Sequence, residues 1–387
     1  MVMTIENFLQ LPITTNFKVV AGERYLKRPM QNVEILDFEF MEGFEVNRHT
    51  MFSEASLVLS SLLFAKDDEQ ALFRMIDELT ELKVSCFAFK PVIYTELPPE
   101  VLHYAESKKL PILVFGGDEF FEDIIFQAMD YRNKTAQIEF LESTIASLME
   151  NKLAANQQQS LIKQMNRSFE EYIMVMNIKS ERIANENLFR FEPFLRKGLI
   201  CRYEQSIFII MTHQQYNFDF LEQATMIKQL LNTSSLSDFI GYSQIHKTSE
   251  NFATALHESY YASIFAEINS EKDCRYSELK NDQLLIENYR NNSHFTMNYV
   301  TTYLAKIIDD IGDNNLLNTA ITYILTGGNI KETADLHFCH QNTIRYRMTK
   351  IRQLIDERAT DFQFYEHLSV AIKLYLLHKY TINRNSL

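Results

Sequence analysis

Side chains that can read or hold a nucleic acid are concentrated between positions 341 and 352 of this 387-residue chain. The amide and hydroxyl groups of Gln341, Asn342 and Thr343 can form hydrogen bonds with base edges, and arginine or lysine can read guanine or bind phosphate. The cations of the stretch are Arg345, Arg347, Lys350 and Arg352. Because the whole chain carries a formal net charge of −13, this local reversal of sign indicates an acidic partner, or else the solvated face of an amphipathic helix.

Three short helical patterns place these side chains. The first is an apolar stripe, and the double glycine at 327–328 can end it because glycine adopts positive φ without strain. Asn329 can then cap a second helix from Ile330 to His337, in which Lys331 points outward. A turn at 338–340 follows. The apolar stripe consists of Leu316, Leu317, Ala320, Ile321, Ile324 and Leu325.

The third helix is amphipathic, because apolar residues recur at spacings of four, three and four from Ile344 to Ile355 and share one face. A short helix, a tight turn and a helix with polar groups at its N-terminal end form the helix-turn-helix plan, whose second helix enters the major groove of double-stranded DNA. The predicted DNA-binding residues are Lys331, His340, Gln341, Asn342, Thr343, Arg345, Tyr346, Arg347 and Lys350.

The strings GNIKETA and HQNTIRYRMTKI, at 328–334 and 340–351, resemble the C-terminal DNA-binding domain of the purine-catabolism regulator (PucR) family of bacterial transcription factors, also called CdaR-like. That family has a G-N-x-x-x-T-A helix before an H-x-N-T-x-x-Y-R recognition helix. The chain departs from the pattern twice: His337 stands where the family usually has a core leucine, and Gln341 where it commonly has arginine.

Residues 1–130 read as alternating strands and helices, which predicts an α/β domain with a largely parallel, covered sheet. The stretches FLQLPIT, VVAGERYLKRPMQNVEILD and LPPEVLHYAESKKLPILVF are similar to the PucR N-terminal domain. The resemblance implies a sensor of a small metabolite. The family's Pro-Gly and Thr-Thr-Gly turns are missing near the third strand, where Ser53–Ser61 stand instead.

The string Gly116–Phe120 spells GGDEF, the signature of diguanylate cyclases, in which the glycines approach nucleotide phosphates on a turn between two strands. Here a strand precedes the string, but helical spacing follows it. The context is strand, loop and helix, with Asp118 as the expected N-cap, so an ordinary loop is favoured. A nucleotide-signalling protein with a GGDEF-type site remains the alternative.

Residues 131–160 are predicted to be a linker that is helical from Gln137 to Asn156, with the glutamines at 157–159 as a soft boundary. Ile138, Leu141, Ile145 and Leu148 recur in it at spacings of three, four and three. This pattern fits a dimerising coiled-coil seam over about two heptads, or a surface helix packed on its own domain.

Residues 161–290 are predicted to form an α/β middle domain. FIGYSQIHKTSENFATALHESYYASIFA resembles the degenerate GGDEF-like domain of PucR-type regulators. A cyclase would place its glycines and carboxylates after an Arg-Tyr strand, but 202–208 reads RYEQSIF and has neither a glycine pair nor an acidic pair. This indicates a structural or interaction module. Residues 291–387 would then form the all-α DNA-binding domain.

Cysteine spacing and the lack of other motifs disfavour several other classes of protein. The four cysteines lie far apart without a pairing pattern, as in reduced cytosolic proteins. His337, Cys339 and His340 lack the second ligand pair of a zinc site. No catalytic motif and no membrane-spanning run is present. These features fit a cytoplasmic protein without cofactor, metal or enzymatic activity. The resemblance to the PucR family further implies a homodimeric regulator that binds operator DNA and a metabolite and controls a metabolic operon for purine, amino-acid or related catabolism.

Overall fold

The computed structural model describes residues 3–36, 52–116, 119–150, 153–180, 195, 197–231, 238–308, 315–355 and 357–385. The chain divides into two compact units, an N-terminal unit (Met1–Phe140) and a C-terminal unit (Leu141–Leu387). Within the described residues, no helix is both long and apolar enough to cross a bilayer.

The N-terminal unit is built on a five-stranded sheet in the order β1-β5-β4-β3-β2, in which β2 to β5 are parallel and β1 pairs antiparallel with β5. Its strands are β1 (Lys18–Ala21), β2 (Asn32–Ile35), β3 (Ser56–Ser60), β4 (Cys86–Phe89) and β5 (Ile112–Val114). Its helices include α1 (Ile5–Phe8), α2 (Gln70–Glu81) and α3 (Pro99–Ser107). The predicted α/β content is confirmed. The apolar run VEILDF at 33–38 forms a strand only as far as Ile35, and its last two residues, Asp37 and Phe38, lie outside the described residues.

Both faces of this sheet are covered, because side chains alternate along each strand. Val58 and Phe87 pack in a core with residues of α2 and α3. Leu57 and Cys86, one residue earlier on the same strands, pack on the other face with residues of α1 and of α4 (Phe121–Met149). The near-continuous apolar strands are typical of a parallel sheet buried on both sides.

The GGDEF string connects β5 to α4. Lys90 Nζ donates to the Glu119 carbonyl at 2.8 Å and lies 5.7 Å from the Phe120 ring centroid. The predicted strand-loop-helix context is confirmed, so the string is not a turn between two strands. Gly117 and the expected cap Asp118 lie outside the described residues.

The linker is two helices. The predicted continuous helix to Asn156 is wrong, since α4 ends at Met149 and α5 spans Ala155–Met165, including the glutamines expected to be a boundary. Leu141, Ile145 and Leu148 are at most 3% exposed. Three of the four seam residues are thus buried within the chain itself, as expected for a helix packed on its own domain.

The C-terminal unit begins with a sheet in the order β11-β9-β6-β8-β7, with β10 paired to β6. The strands are β6 (Tyr172–Lys179), β7 (Leu199–Tyr203), β8 (Ser206–His213), β9 (Phe239–Tyr242), β10 (His246–Lys247) and β11 (Asp273–Arg275). The helices are α6 (Phe220–Leu231) and α7 (Thr248–Asn269). The hairpin from β7 to β8 turns at Glu204, whose φ is +52°, and Tyr260 Oη donates to Glu204 Oε2 at 2.8 Å.

Among the described residues, six further helices follow in this unit: α8 (Asp282–Asn291), α9 (Ser293–Ile308), α10 (Asn315–Leu325), α11 (Ile330–Leu336), α12 (Gln341–Ile355) and α13 (Asp361–Asn385). After Cys274 the chain completes β11 at Arg275 and then forms α8. Lys373 Nζ donates to Asp282 Oδ1 at 2.7 Å, and Tyr289 Oη lies 3.0 Å from His378 Nδ1. The terminal helix α13 is therefore bonded to α8.

Candidate nucleic-acid interface

The junction between α10 and α11 has the predicted glycine geometry. Gly327 and Gly328 have φ of +63° and +84°. Their N–H groups donate to the carbonyls of Ile324 and Tyr323 at 3.0 and 2.8 Å, which is a Schellman helix end. A Cβ on Gly328 would lie 3.1 Å from the Tyr365 ring. The chain thus turns tightly enough to place α11 directly after α10.

Asn329 caps α11 as expected. Its side-chain Oδ1 accepts from the N–H groups of Lys331 and Glu332 at 3.1 and 3.2 Å. One turn later, the hydroxyls of Thr333 and Thr326 lie 2.9 Å apart, which ties α11 to the end of α10. Ala334 is 1% exposed. Its small side chain lets the neighbouring helix approach.

The end of α11 repeats the Schellman motif without glycine. Cys339 N–H donates to the Ala334 carbonyl and Phe338 N–H to the Asp335 carbonyl, at 3.0 and 3.2 Å. Phe338 takes the left-handed position with φ of +50°, and its side chain is 97% exposed. A bulky residue therefore occupies the turn position that favours glycine.

The apolar face of α12 fixes how this helix is presented. Ile344, Met348 and Ile351 are at most 9% exposed, and Leu316 of α10 is fully buried. Leu325, expected in the apolar stripe of α10, is instead 41% exposed. The predicted three-helix arrangement is otherwise present, and the polar side of α12 faces away from the domain.

Two residues of the exposed side bond to each other. Arg345 Nη1 donates to Asn342 Oδ1 at 2.9 Å, and Arg345 Nη2 lies 3.5 Å from Gln341 Oε1. Tyr346 beside them is 69% exposed. This cluster offers a guanidinium, an amide and a phenol from the first turn and a half of α12.

His340 acts at the start of α12 as a cap. Its Nδ1 accepts from the Asn342 N–H at 3.2 Å, and its carbonyl accepts from the Thr343 N–H at 2.9 Å. An accepting Nδ1 requires the tautomer with its proton on Nε2. The imidazole therefore orders the segment that carries Asn342, and its Nε2–H is left to donate elsewhere.

Two arginines of α12 bond to other segments of the same domain. Arg347 Nη1 donates to Oγ1 of the fully buried Thr319 at 3.3 Å. Arg352 forms an ion pair with Asp361 and donates to the Ala359 carbonyl. Both guanidinium groups thus have partners within the domain, and the assignment of Arg347 to DNA stays a prediction. Among the other predicted DNA-binding residues, Lys331 is exposed, and Gln341, Thr343 and Lys350 are half-buried.

His337, which departs from the family pattern, is half-buried, with its Nε2 3.0 Å from Thr322 Oγ1. A hydrogen-bonded imidazole thus takes the place expected for a leucine. Cys339, two residues later in the turn, is also half-buried. Among the described residues, no three or more histidine, cysteine or carboxylate side chains are grouped to hold a metal ion.

Two family models match the chain at the ends where the resemblance lies. The purine catabolism regulatory protein-like family matches residues 7–131, and the PucR C-terminal helix-turn-helix domain matches residues 316–374. The chain belongs to the PucR family. It is a PucR-type regulator with a C-terminal helix-turn-helix DNA-binding domain, and these matches do not favour the nucleotide-signalling alternative.

Similarity to individual proteins is low. The regulator of polyketide synthase expression from Bifidobacterium adolescentis, known from a crystal structure, is 15% identical with a TM-score of 0.28; the match covers 59% of this chain and 96% of that one. No curated protein matches the PucR-type chain significantly.

The N-terminal unit contains an open groove of about 1040 Å³ at the carboxyl ends of β4 and β5. Its apolar lining includes Phe89, Leu102 and Val114, and its polar lining includes Lys18 and His103. At its edge, the Glu106 carboxylate accepts hydrogen bonds from Arg24 and from the Gly22 N–H. The bond from Arg24 is the main cause of the lowered pKa of the Glu106 carboxyl, and the Gly22 N–H adds to it. Ligands of open α/β sheets bind at this edge.

Sequence reasoning missed this groove and the bonds that the two arginines form within the domain. The signal for the groove was present, because the strand ends after Phe89 and Val114 are followed by loops rather than by another strand. The arginines gave no such signal, since Arg347 and Arg352 lie on the flanks of α12 and only the positions of α10 and α13 decide where they point.

Proposed function

We propose that this PucR-type regulator reads operator DNA with the N-terminal half of α12. The observation that carries this proposal is the exposed pair of Arg345 and Asn342. The amide oxygen holds the guanidinium at a defined place, which leaves further N–H groups of Arg345 to contact O6 and N7 of a guanine. The Asn342 Nδ2 group can donate to a neighbouring base edge.

Other predicted residues would position the protein on the phosphates. Lys331 is exposed in the first turn of α11, the helix that crosses the backbone in this motif. Tyr346 and the His340 Nε2–H can donate to phosphate or sugar oxygens. Such contacts give affinity that falls with salt but carry no sequence information.

The groove at the edge of the N-terminal sheet is the proposed effector site. Its apolar walls and its polar groups at Lys18 and His103 fit a small metabolite with an apolar body and a polar or anionic end. A thermal-shift screen of metabolites tests this: a stabilising compound should lose its effect in Lys18→Ala and keep it in Lys27→Ala, an exposed lysine outside the groove. Equal loss in both variants, or in neither, would contradict the assignment.

The middle domain is proposed to be a degenerate GGDEF-like module that transmits the signal in a cytoplasmic homodimer. Its β7–β8 hairpin carries Glu204 and Gln205 at the turn, where a cyclase would carry glycines, and Tyr260 bonds to Glu204. The effector would shift the population between DNA-competent and incompetent arrangements by binding them with different affinity.

Recovery of bound DNA across the genome tests the regulatory function. The wild-type chain should enrich a defined, two-fold symmetric sequence beside metabolic operons, for example of purine or amino-acid catabolism, and Arg345→Ala should lose that enrichment. Retention of the same sites by Arg345→Ala would contradict the assigned reader, and random recovery would contradict sequence-specific regulation.

A further inference from the structure

One face of α4 carries exposed apolar side chains in a line. Phe126 and Met129 are 71% and 47% exposed, and Asn133 and Ala136 are exposed further along the helix. Spacings of three, four and three place these residues within about 100° of the helix surface. These four residues are named the α4 stripe. Two large apolar groups at adjacent positions of such a stripe indicate a protein contact.

The opposite face of α4 is already used. Ile124 and Ala128 are at most 3% exposed and belong to a core of the N-terminal unit. Arg132 donates to the Gln31 carbonyl and, at 3.0 Å, to Asn32 Oδ1. These contacts fix the rotation of the helix about its axis, so the α4 stripe stays on the side away from that core.

The seam expected from the sequence is not available for self-association. Leu141, Ile145 and Leu148 are buried within the chain. We propose that the α4 stripe is instead a self-association surface, which packs on the same stripe of a second copy in a parallel, in-register pair. The proposal deepens the proposed function, because it names the surface that would make the regulator a dimer.

Asn133 favours a second copy of this chain, in parallel orientation, as the partner of the α4 stripe. The 3-4 spacing makes Phe126 and Asn133 a-type positions and Met129 and Ala136 d-type positions of a coiled coil. In a parallel pair, Asn133 lies opposite Asn133 of the second copy, where the two amides can bond to each other. In an antiparallel pair of the same stripe it would lie opposite Met129, which leaves the amide without a hydrogen-bond partner at the seam. An unrelated apolar helix would leave it in the same state.

The length of the stripe sets the strength of the contact. From Phe126 to Ala136 it rises about 15 Å, less than the three or four heptads of a stable isolated coiled coil. On the flank, the ion pair between Lys134 and Asp130, 2.7 Å apart, balances the local charge. We therefore expect weak, concentration-dependent pairing that operator binding strengthens, since two half-sites hold two chains together.

Sedimentation velocity of the full chain over micromolar concentrations tests this surface. Wild type and Val92→Glu, a 62% exposed control in the same unit, should associate equally. Phe126→Glu should associate at least ~10-fold more weakly, because it brings two carboxylates to one seam. Association of Phe126→Glu at wild-type strength would overturn the α4 surface alone. A wild type that is monomeric with and without operator would overturn both this surface and the proposed dimer.

Cysteine cross-linking tests the parallel register without relying on a disruptive variant. In a Cys339→Ser background, the other native cysteines, Cys86, Cys201 and Cys274, are buried. Asn133→Cys should then form a disulfide-linked dimer on mild oxidation, because facing a-type positions come within the ~7 Å between Cα atoms that a disulfide allows. Lys134→Cys, which points off the seam, should not. Equal cross-linking of the two variants, or none in Asn133→Cys, would overturn the parallel pair.

Discussion

Two parts of α12, residues 341–346 and residues 347–355, use similar side chains for different purposes. In the first part, Arg345 and Asn342 stand clear of the domain and bond to each other. In the second part, Arg347 and Arg352 bond to Thr319 and to the Ala359 carbonyl. A helix that is basic throughout its sequence thus presents a short reading surface followed by a structural anchor, and counting its charges overstates the DNA-binding surface.

The largest expected effect lies in the first part of α12. Arg345→Ala should weaken operator binding by about 1 to 3 kcal/mol, as for loss of one base contact, and should leave the melting temperature unchanged because the side chain is exposed. Fluorescence anisotropy and thermal unfolding measure the two quantities. If Arg345→Ala lowered the melting temperature without weakening operator binding, Arg345 would have a structural role like that of Arg347 and Arg352.

Asn342→Ala should produce a similar loss of affinity, and the double variant should lose less than the sum of the two single losses. The reason is that Asn342 holds the Arg345 guanidinium, so each single change already disturbs the same contact. A double-mutant cycle on operator DNA measures this coupling. Strictly additive losses would show that the two side chains read DNA independently.

The anchor should respond in the opposite way. Arg352→Ala should lower the free energy of unfolding by about 1 kcal/mol, mainly through the lost bond to the Ala359 carbonyl, because the ion pair to the 95% exposed Asp361 contributes little. Arg347→Ala should lower the free energy of unfolding by a similar amount, because it leaves the buried Thr319 hydroxyl without this hydrogen bond. Urea unfolding followed by DNA titration of the folded variants measures both. A tenfold loss of affinity for operator DNA in either variant, at unchanged stability, would show that the arginine contacts DNA rather than anchoring the helix.

The smallest effect on stability is expected at the C-terminal ends of α10 and α11, where glycine ends the first helix and Phe338 ends the second. Phe338→Gly should stabilise the protein by about 0.5 to 1 kcal/mol, since the left-handed backbone costs a bulky residue more than glycine's extra unfolded-state entropy. Gly327→Ala, at the equivalent position with free space around it, should destabilise the protein. Calorimetry measures the pair. Destabilisation by Phe338→Gly would show that the exposed ring makes a contact that stabilises the fold.

The parts of the fold that could be predicted depend on local chemistry. The glycines at 327–328, the cap at Asn329 and the spacing from Ile344 to Ile351 determine the helix-turn-helix within a few residues of sequence. Alternating strand and helix patterns likewise predicted the parallel sheet. These features need no knowledge of distant segments.

The parts that could not be predicted depend on contacts between distant residues. Periodicity placed Leu141, Ile145 and Leu148 on one face but could not show that this face is buried within the chain. The exposed α4 stripe went unnoticed because Asn133 interrupts its apolar pattern. The direction of Arg347 depends on Thr319, which lies 28 residues earlier.

The most direct test of the central claim is the specificity ratio of the Asn342→Ala/Arg345→Ala variant, measured as affinity for operator over scrambled DNA at one salt concentration. If the N-terminal half of α12 reads the bases, this ratio should fall at least ~10-fold while the weak binding to scrambled DNA persists, because phosphate contacts remain. An unchanged ratio in the folded double variant would contradict the assignment of α12 as the reader.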